Sequence, residues 1–131
     1  MSQQPIELIL LRQVAQCLAT PIFLVDAMGT LLYYNEPAAM LLGCRYDESG
    51  ELPMEEWAEV FAPTDSLGRP LPSAELPLAV ALSEGSPCHG TFWIRGVDGV
   101  SRHLAVTALP VGGNGQADLG AVALFWALPR R

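Results

Sequence analysis

Two groups of strand-like segments follow the N-terminal segment, and a block of short helices lies between them. Two apolar runs at residues 21–27 and 30–34, joined by Met28 and Gly29, have the composition of a β-hairpin. Three more strand-like runs follow the helical block, at residues 88–95, 101–111 and 119–128. Because strands grouped apart from helices are typical of α+β domains, this order predicts an antiparallel sheet in a single domain of 131 residues.

Three helices are predicted between the two groups of strands. Asn35 is expected to cap the N-terminus of a helix over residues 36–42, and Gly43 to end it in a left-handed conformation. A second helix is predicted over residues 53–61, where apolar residues recur at helical spacing. The third is predicted as one continuous helix over residues 73–84, with its first residue as the N-cap.

The N-terminal segment, residues 6–19, is predicted to be a helix with an unusually wide apolar surface. Its polar side chains Arg12, Gln13 and Gln16 fall within an arc of about 100°, and most of the remaining circumference is apolar. Such a helix is either sunk deep in its own fold or shared with a second subunit. We expect the second arrangement, a homodimer, with an interface formed by Leu8, Leu11 and Leu18.

The charge balance excludes some classes of partner. The chain has 14 acidic residues against 7 arginines, no lysine and a formal net charge of −7. We therefore expect no nucleic-acid partner and no binding to anionic membranes, because both select basic surfaces. No uncharged apolar run approaches the roughly 20 residues of a membrane helix, and residues 1–7 lack the basic start of a signal peptide. Three widely spaced cysteines favour reduced thiols and a cytoplasmic location.

Short motifs follow one another from about residue 10 to residue 126. They are Asp26-x-x-Gly29, Asn35, Pro37-Ala38-Ala39, Leu42-Gly43, Pro77-Leu78-x-x-Ala81-Leu82-x-x-Gly85, Asp98-Gly99, Pro110 and Gly120-Ala121-Val122. In order and spacing they resemble a PAS domain. The resemblance implies a five-stranded antiparallel sheet of order 2-1-5-4-3, with short helices enclosing a cavity on one face. It also implies a PAS domain over residues 21–128, preceded at residues 1–20 by a dimerisation or capping helix.

The same resemblance implies a non-enzymatic role in sensing or in holding two chains together. Family members often carry Asp-Ile-Thr at the junction to an effector, where this sequence has Ala127-Leu128-Pro129. Ordinary in-line coupling to a following effector is therefore not expected.

A ligand pocket is predicted on the helix-covered face of the sheet. Tyr34 occupies the position at which a tyrosine faces the chromophore in photoactive yellow protein, and strand alternation places Leu32 on the same face. The expected lining is Phe23, Val25, Leu32, Tyr34, Trp57, Phe61, Trp93, Leu104 and Val106. These side chains suit a small apolar or aromatic ligand, with the tyrosine hydroxyl as its hydrogen-bonding partner. They are also large enough to fill the space themselves, and the sequence leaves both alternatives open.

Familiar PAS cofactors are disfavoured by the residues present. His89 and His103 fall on predicted strands, and the helix that supplies the haem ligand in oxygen-sensing PAS proteins has no histidine. Cys44 stands too early to match the cysteine of covalent flavin binding, and residues 62–66 lack the cysteine that would attach a thioester chromophore. The histidines and cysteines have no metal-ligand spacing, so no metal site is predicted.

No catalytic residues are predicted. Asp98, Ser101 and His103 are close in sequence but lie across one tight turn, without a nucleophile elbow or an oxyanion hole. The glycine-rich residues 112–115 precede a strand and are expected to form a hairpin loop, not a phosphate site.

The sequence therefore predicts a PAS-type sensory or regulatory module of intracellular signal transduction. It is expected to act as a homodimer and through contact with a signalling protein partner. A small apolar ligand in the pocket would shift this activity. The alternative is a pure interaction scaffold with a filled core, and a small-molecule enzyme is disfavoured because no acid–base pair shares a face.

Overall fold

The computed structural model describes residues 6–46, 50–112 and 119–129. Five strands form one antiparallel sheet in the order β2-β1-β5-β4-β3, which confirms the predicted fold class and strand order. The strands are β1 (Ile22–Asp26), β2 (Leu31–Tyr34), β3 (Cys88–Arg95), β4 (Ser101–Val111) and β5 (Gly120–Ala127). The helices are α1 (Ile6–Gln16), α2 (Glu36–Leu42), α3 (Met54–Phe61) and α4 (Pro77–Glu84), with a 3-10 turn at Ser73–Glu75.

The sheet has two covered faces of different size. Helices α2, α3 and α4 pack on the inner face, where a large cluster includes Phe23, Tyr34, Trp57 and Phe125. Helix α1 packs on the outer face through Leu8 and Ala15, in a smaller cluster whose sheet residues are Ile22, Leu24, Leu32 and Val122. The sheet thus separates a deep core from the N-terminal helix.

Helix α2 begins and ends as its sequence predicts. Asn35 is extended (φ −85°, ψ 177°), and its side-chain oxygen accepts a hydrogen bond from the backbone N–H of Ala38 at 3.2 Å. Gly43 closes the helix with φ 76°, a left-handed conformation that glycine adopts without a Cβ penalty. The predicted cap and stop are confirmed.

The predicted continuous helix over residues 73–84 is wrong. It is divided into the 3-10 turn and α4, with Leu76 extended between them (φ −72°, ψ 146°). Leu76 precedes Pro77, whose ring disfavours a helical conformation in the residue before it. The predicted N-cap, Ser73, is the N-cap of neither element, since these positions are occupied by Pro72 and Leu76. Helix α1 also ends earlier than predicted, at Gln16.

A β-bulge interrupts the alternation of side chains in β2. Phe23 pairs with Tyr34 and Leu24 with Tyr33, but Val25 pairs with Leu31, so the register shifts by one residue and Leu32 is left without a partner. The extra residue sends Leu32 to the outer cluster, although Tyr34, two positions away, belongs to the inner core.

The turn between β3 and β4 is held against the C-terminal end of α2. The N–H of Val97 donates to Leu42 O at 2.9 Å, and Arg102 Nη1 donates to Leu41 O at 2.8 Å. Arg102 also pairs with Asp98 at 2.8 Å. Asp98 therefore serves the hairpin, and no catalytic arrangement with His103 is formed by these contacts.

Two further sequence expectations concern segments at the limits of the described chain. The hairpin loop predicted over residues 112–115 lies, apart from Gly112, outside the described residues.

Within the described ranges, every helix is too short or too polar to cross a bilayer.

Candidate functional site

A small cavity of about 60 Å³ lies between the inner face of the sheet and the helices α3 and α4. Strands β1, β3, β4 and β5 supply one wall, and α3, α4, the segments that precede α4 and the last residue of α2 supply the other. The lining residues are Phe23, Leu42, Trp57, Phe61, Pro63, Leu76, Pro77, Leu78, Phe92, Ile94, Leu104, Val106, Ala123 and Phe125. Every one of these side chains is apolar or aromatic.

Five predicted site residues come together around this cavity: Phe23, Trp57, Phe61, Leu104 and Val106. Phe23 is central among the aromatic rings, with its centroid 5.1 Å from that of Trp57 and 6.2 Å from that of Phe61, both in edge-on geometry. These aromatic contacts fix the inner wall of the cavity. The predicted residue Val25 is buried in the same core but does not line the cavity.

Tyr34 does not present its hydroxyl to the cavity. Its ring is buried and lies parallel to Phe23, with the centroids 5.9 Å apart. The hydroxyl donates a hydrogen bond to the backbone carbonyl of Cys44 at 2.6 Å, in the segment after α2. The phenol therefore anchors that segment, and the cavity has no polar group from this residue.

Leu32 and Trp93 lie on the outer face of the sheet, opposite to their predicted orientation. The bulge in β2 accounts for Leu32. Trp93 pairs with His103 in the β3–β4 ladder and stacks on its ring, with centroids 4.7 Å apart and planes within 7°. The inward positions of β3 are Phe92 and Ile94, so the predicted phase of this strand was one residue out.

Several lining residues escaped the sequence reasoning. Phe92 pairs with Leu104 across the ladder, and strand partners share a face, so the correct assignment of Leu104 contained the signal for Phe92. Leu76 and Pro77 line the cavity because the chain breaks there into an extended residue, which helical periodicity could not show. Ala123 is too small to stand out as a pocket residue in the sequence.

The chemistry of the cavity follows from its size and lining. The one polar side-chain atom among the lining residues, Trp57 Nε1, already donates to Gly29 O at 2.9 Å. A volume of about 60 Å³ is below the 150 Å³ or so of a dry engineered cavity that binds benzene, and above the roughly 15 Å³ that one water needs. The space therefore suits an apolar molecule of a few heavy atoms without charge.

The N-terminal helix carries an apolar stripe that faces away from its own sheet. Ile6, Leu10, Val14 and Leu18, the last just beyond the helix end, are 67%, 52%, 53% and 40% exposed. We call these four residues the α1 stripe. Of the residues predicted at a dimer interface, only Leu18 belongs to it. Leu8 is buried against the chain's own sheet, and Leu11 is partly buried in the same cluster.

The candidate cofactor ligands lie outside the cavity. His89 contacts the Thr107 hydroxyl at 3.0 Å through Nδ1, and His103 stacks on Trp93. Cys44 is partly buried and is not a lining residue, and all three cysteines have free thiols. In the part of the chain that the structure describes, no three histidine, cysteine or carboxylate side chains gather closely enough to hold a metal ion.

The fold matches solved PAS domains over nearly the whole chain. A PAS domain from Colwellia psychrerythraea aligns with a TM-score of 0.65 and 17% identity, over 94% of this chain and 99% of that one. The LOV protein of Rhodobacter sphaeroides aligns with a TM-score of 0.68 and 17% identity, over 92% of this chain and 66% of that one. The chain has the PAS fold.

A third similar structure holds a ligand. It is the PAS domain of a LuxR-family transcriptional regulator from Burkholderia thailandensis in complex with ethanol, with a TM-score of 0.58 and 12% identity, covering 88% of this chain and 95% of that one. Sequence comparison adds no relative, since neither a protein-family model nor a curated protein matches this chain.

Proposed function

We propose that this chain is a PAS-type sensory or regulatory module that acts through contact between proteins and not through catalysis. The observation that carries the proposal is the α1 stripe, an apolar surface on a helix that packs outside the PAS core. An apolar helix face normally packs against a neighbour. Residues 1–20 would then form the dimerisation segment and residues 21–128 the sensory domain.

A second copy of the chain is the occupant we propose for the stripe. Ile6, Leu10 and Val14 follow one another at intervals of four residues, so they form a continuous row along the helix. The row itself contains no charge although the chain carries a net charge of −7, and the Glu7 carboxylate flanks it only in the first turn of the helix. A twofold axis brings the same row from both copies together and covers both at once.

We expect a small apolar molecule in the cavity to shift the equilibrium between monomer and dimer. Strand β1 connects the two sites, because Phe23 lines the cavity and the next residue, Leu24, packs in the cluster that holds α1. If β1 changes position when a ligand enters, the residues that pack against α1 therefore move with it. The ethanol complex of the Burkholderia PAS domain supports a ligand of this size in this fold.

The second candidate function is an interaction scaffold that binds no ligand. The small volume of the cavity and the engagement of the Tyr34 hydroxyl by Cys44 O favour it. The two candidates share the dimer and differ only in whether the cavity is occupied.

The dimer is tested by light scattering at micromolar concentration with two matched variants. Leu10→Glu places a charge in the α1 stripe. The control Met40→Glu places the same charge on α2, where Met40 is 76% exposed. We expect the wild type and Met40→Glu to be dimers and Leu10→Glu to be a monomer, because an interface charge must be desolvated. A monomeric wild type, or a dimer of Leu10→Glu, would overturn the assignment.

The ligand is tested by NMR titration with ethanol and with xenon as probes. Sensing predicts saturable shifts at the amides of Ile94 and Ala123, which line the cavity. Ala123→Leu fills the same space from within and should abolish these shifts. Shifts that are absent in the wild type, or unchanged in Ala123→Leu, favour the scaffold.

A further inference from the structure

A second, larger cavity lies where α1 meets the start of α2. Its volume is about 240 Å³, and its lining consists of Arg12, Tyr33, Tyr34, Asn35, Glu36, Ala39, Arg45 and Tyr46. We call it the Arg12 groove. It shares no lining residue with the core cavity, and its walls are about equally polar and apolar, whereas those of the core cavity are apolar.

The Arg12 guanidinium lies over two tyrosine rings. Its central carbon lies 4.8 Å from the ring centroid of Tyr33 and 5.6 Å from that of Tyr46. A guanidinium held by two cation–π contacts is positioned in advance, and no hydrogen bond within the described residues uses its N–H donors.

Arg12 has no carboxylate partner in the part of the chain that the structure describes. In that part, Arg45, Arg69 and Arg102 each form an ion pair with an acidic side chain. Arg12 is half-buried, and neither an ion pair nor a hydrogen bond from its guanidinium is formed within the described ranges. The one carboxylate among the groove's lining residues, Glu36, pairs with Arg45 and not with Arg12, although the chain has twice as many acidic as basic residues.

The groups around Arg12 accommodate an anion. Glu36 lines the groove but is engaged by Arg45 at 2.7 Å, which offsets its charge. Burial, and then the nearby Glu51 carboxylate, raise the pKa of Tyr46 above its ordinary value, and Arg12 and Tyr33 act on it more weakly, in opposite directions. Tyr46 therefore remains a neutral phenol at physiological pH, and it adds no negative charge to the groove.

We propose that the Arg12 groove binds a small organic carboxylate, with the Arg12 guanidinium as its principal partner and the tyrosine rings as its walls. The planar fork of arginine matches the two oxygens of a carboxylate in geometry. The groove volume is close to the lower end of the roughly 300–1,000 Å³ that is usual for small-molecule sites. This proposal stands independently of the α1 dimer and of the core ligand.

Binding at this groove fastens α1 to the core. Arg12 comes from α1, whereas Tyr33 lies on β2 and Glu36 on α2, so a bound carboxylate contacts elements on both sides of the junction. A ligand that binds only when α1 is docked stabilises the docked position. Hydrogen exchange in α1 should therefore slow when the groove is occupied.

The experiment compares benzoate with benzamide, which has the same shape without the charge. We expect benzoate to bind the wild type, with NMR shifts at the amides of Tyr33 and Ala39, and benzamide to bind at least about tenfold more weakly, because hydrogen bonds to a charged pair are the stronger ones. Arg12→Gln should lose benzoate binding by a similar factor. The control Arg95→Gln removes an exposed arginine elsewhere and should bind as the wild type does.

Three results would overturn the proposal. They are equal affinity for benzoate and benzamide, unchanged benzoate affinity in Arg12→Gln, and the absence of benzoate binding at tens of millimolar. Benzoate shifts at Ile94 and Ala123 instead of Tyr33 and Ala39 would place the ligand in the core cavity and contradict it as well. Arg12→Lys keeps the charge without the planar fork, so its benzoate affinity should lie between those of the wild type and Arg12→Gln. If Arg12→Gln folds poorly, the weaker binding of Arg12→Lys relative to the wild type still tests the proposal.

Discussion

The side-chain amide of Asn35 donates a hydrogen bond to the backbone carbonyl of Ala15 at 3.0 Å, and this contact joins α1 to the PAS core. The same nitrogen donates to Thr20 O at 2.9 Å. The side-chain oxygen accepts from Ile22 N–H at 3.1 Å and from Ala38 N–H at 3.2 Å. One buried amide thus joins the end of α1, the start of β1 and the first turn of α2.

Replacement of Asn35 should therefore destabilise the fold by more than the loss of an N-cap. A cap alone is worth about 1 kcal/mol. Asn35→Ala leaves the buried N–H groups of Ile22 and Ala38 without their acceptor, and the Ala15 carbonyl keeps only the hydrogen bond from Leu18 N–H, so we expect a loss of roughly 3 kcal/mol or more in the free energy of unfolding. Chemical denaturation provides the measurement, and a loss near 1 kcal/mol would show that the bonds to α1 contribute little.

Asn35→Asp separates the two halves of this network. An aspartate oxygen can still accept from Ile22 and Ala38, but it cannot donate to the carbonyls of Ala15 and Thr20. We expect hydrogen exchange to accelerate in α1 while the amides of α2 remain protected. Equal protection of α1 in the wild type and in Asn35→Asp would contradict the tethering role.

Tyr34→Phe tests which partner the phenol serves. Because the hydroxyl is bound to Cys44 O, its removal should lower stability by about 1 kcal/mol and leave ethanol or xenon affinity unchanged. Calorimetry of unfolding and the NMR titration above measure the two effects. Weaker probe binding at unchanged stability would return the hydroxyl to the cavity, as the sequence predicted.

The Asp98–Arg102 pair predicts part of the acid sensitivity of the protein. The hydrogen bond from Arg102, followed by that from Val100 N–H, holds the pKa of Asp98 below its ordinary value. A lowered pKa in the folded state means that the contribution is complete above about pH 4, the unfolded value, and is lost as the pH falls through the folded value.

Asp98→Asn removes that titration. The melting temperature of the variant should fall below that of the wild type at pH 7, and the difference should shrink as the pH is lowered towards 2. A difference that is constant over this range would show that the pair does not contribute through its charge.

Cys17 reports on the arrangement of two α1 helices. It is exposed, and its helical angle falls between those of Ile6 and Leu10, so it lies on the same side as the α1 stripe. A short bis-maleimide should cross-link the wild type into covalent dimers and should not do so in Leu10→Glu. Cross-linking that persists in Leu10→Glu, or that depends on Cys88 instead, would place the interface elsewhere.

The fold could be predicted from the sequence because the residues that begin and end its helices and strands act through local backbone preferences. Asn35 and Gly43 bracket α2 through their own backbone preferences, and the turn at Asp98-Gly99 separates β3 from β4 at the expected residues. The break at Leu76 was also encoded locally, since it precedes a proline, but the helical pattern on both sides of Pro77 obscured it.

The site was less predictable because it depends on register. Alternation assigns each strand only two choices of face, and the bulge at Leu32 changes that choice within a four-residue strand. Trp93 was assigned to the wrong face for a related reason. It stacks on His103 on the outer face, and the sequence does not distinguish such a tryptophan from one that is buried in the core. Which polar groups are already engaged, as with Tyr34, is decided by backbone atoms that no sequence pattern reveals.

In the proposed function, occupancy of the core cavity shifts the equilibrium of the dimer formed through α1. Sedimentation equilibrium with and without saturating ethanol tests it most directly, with Ala123→Leu as the variant whose cavity is filled. We expect ethanol to change the dimer dissociation constant of the wild type and to leave that of Ala123→Leu unchanged. A wild-type dissociation constant that ethanol does not alter, measured where NMR shows the cavity to be occupied, would contradict the claim.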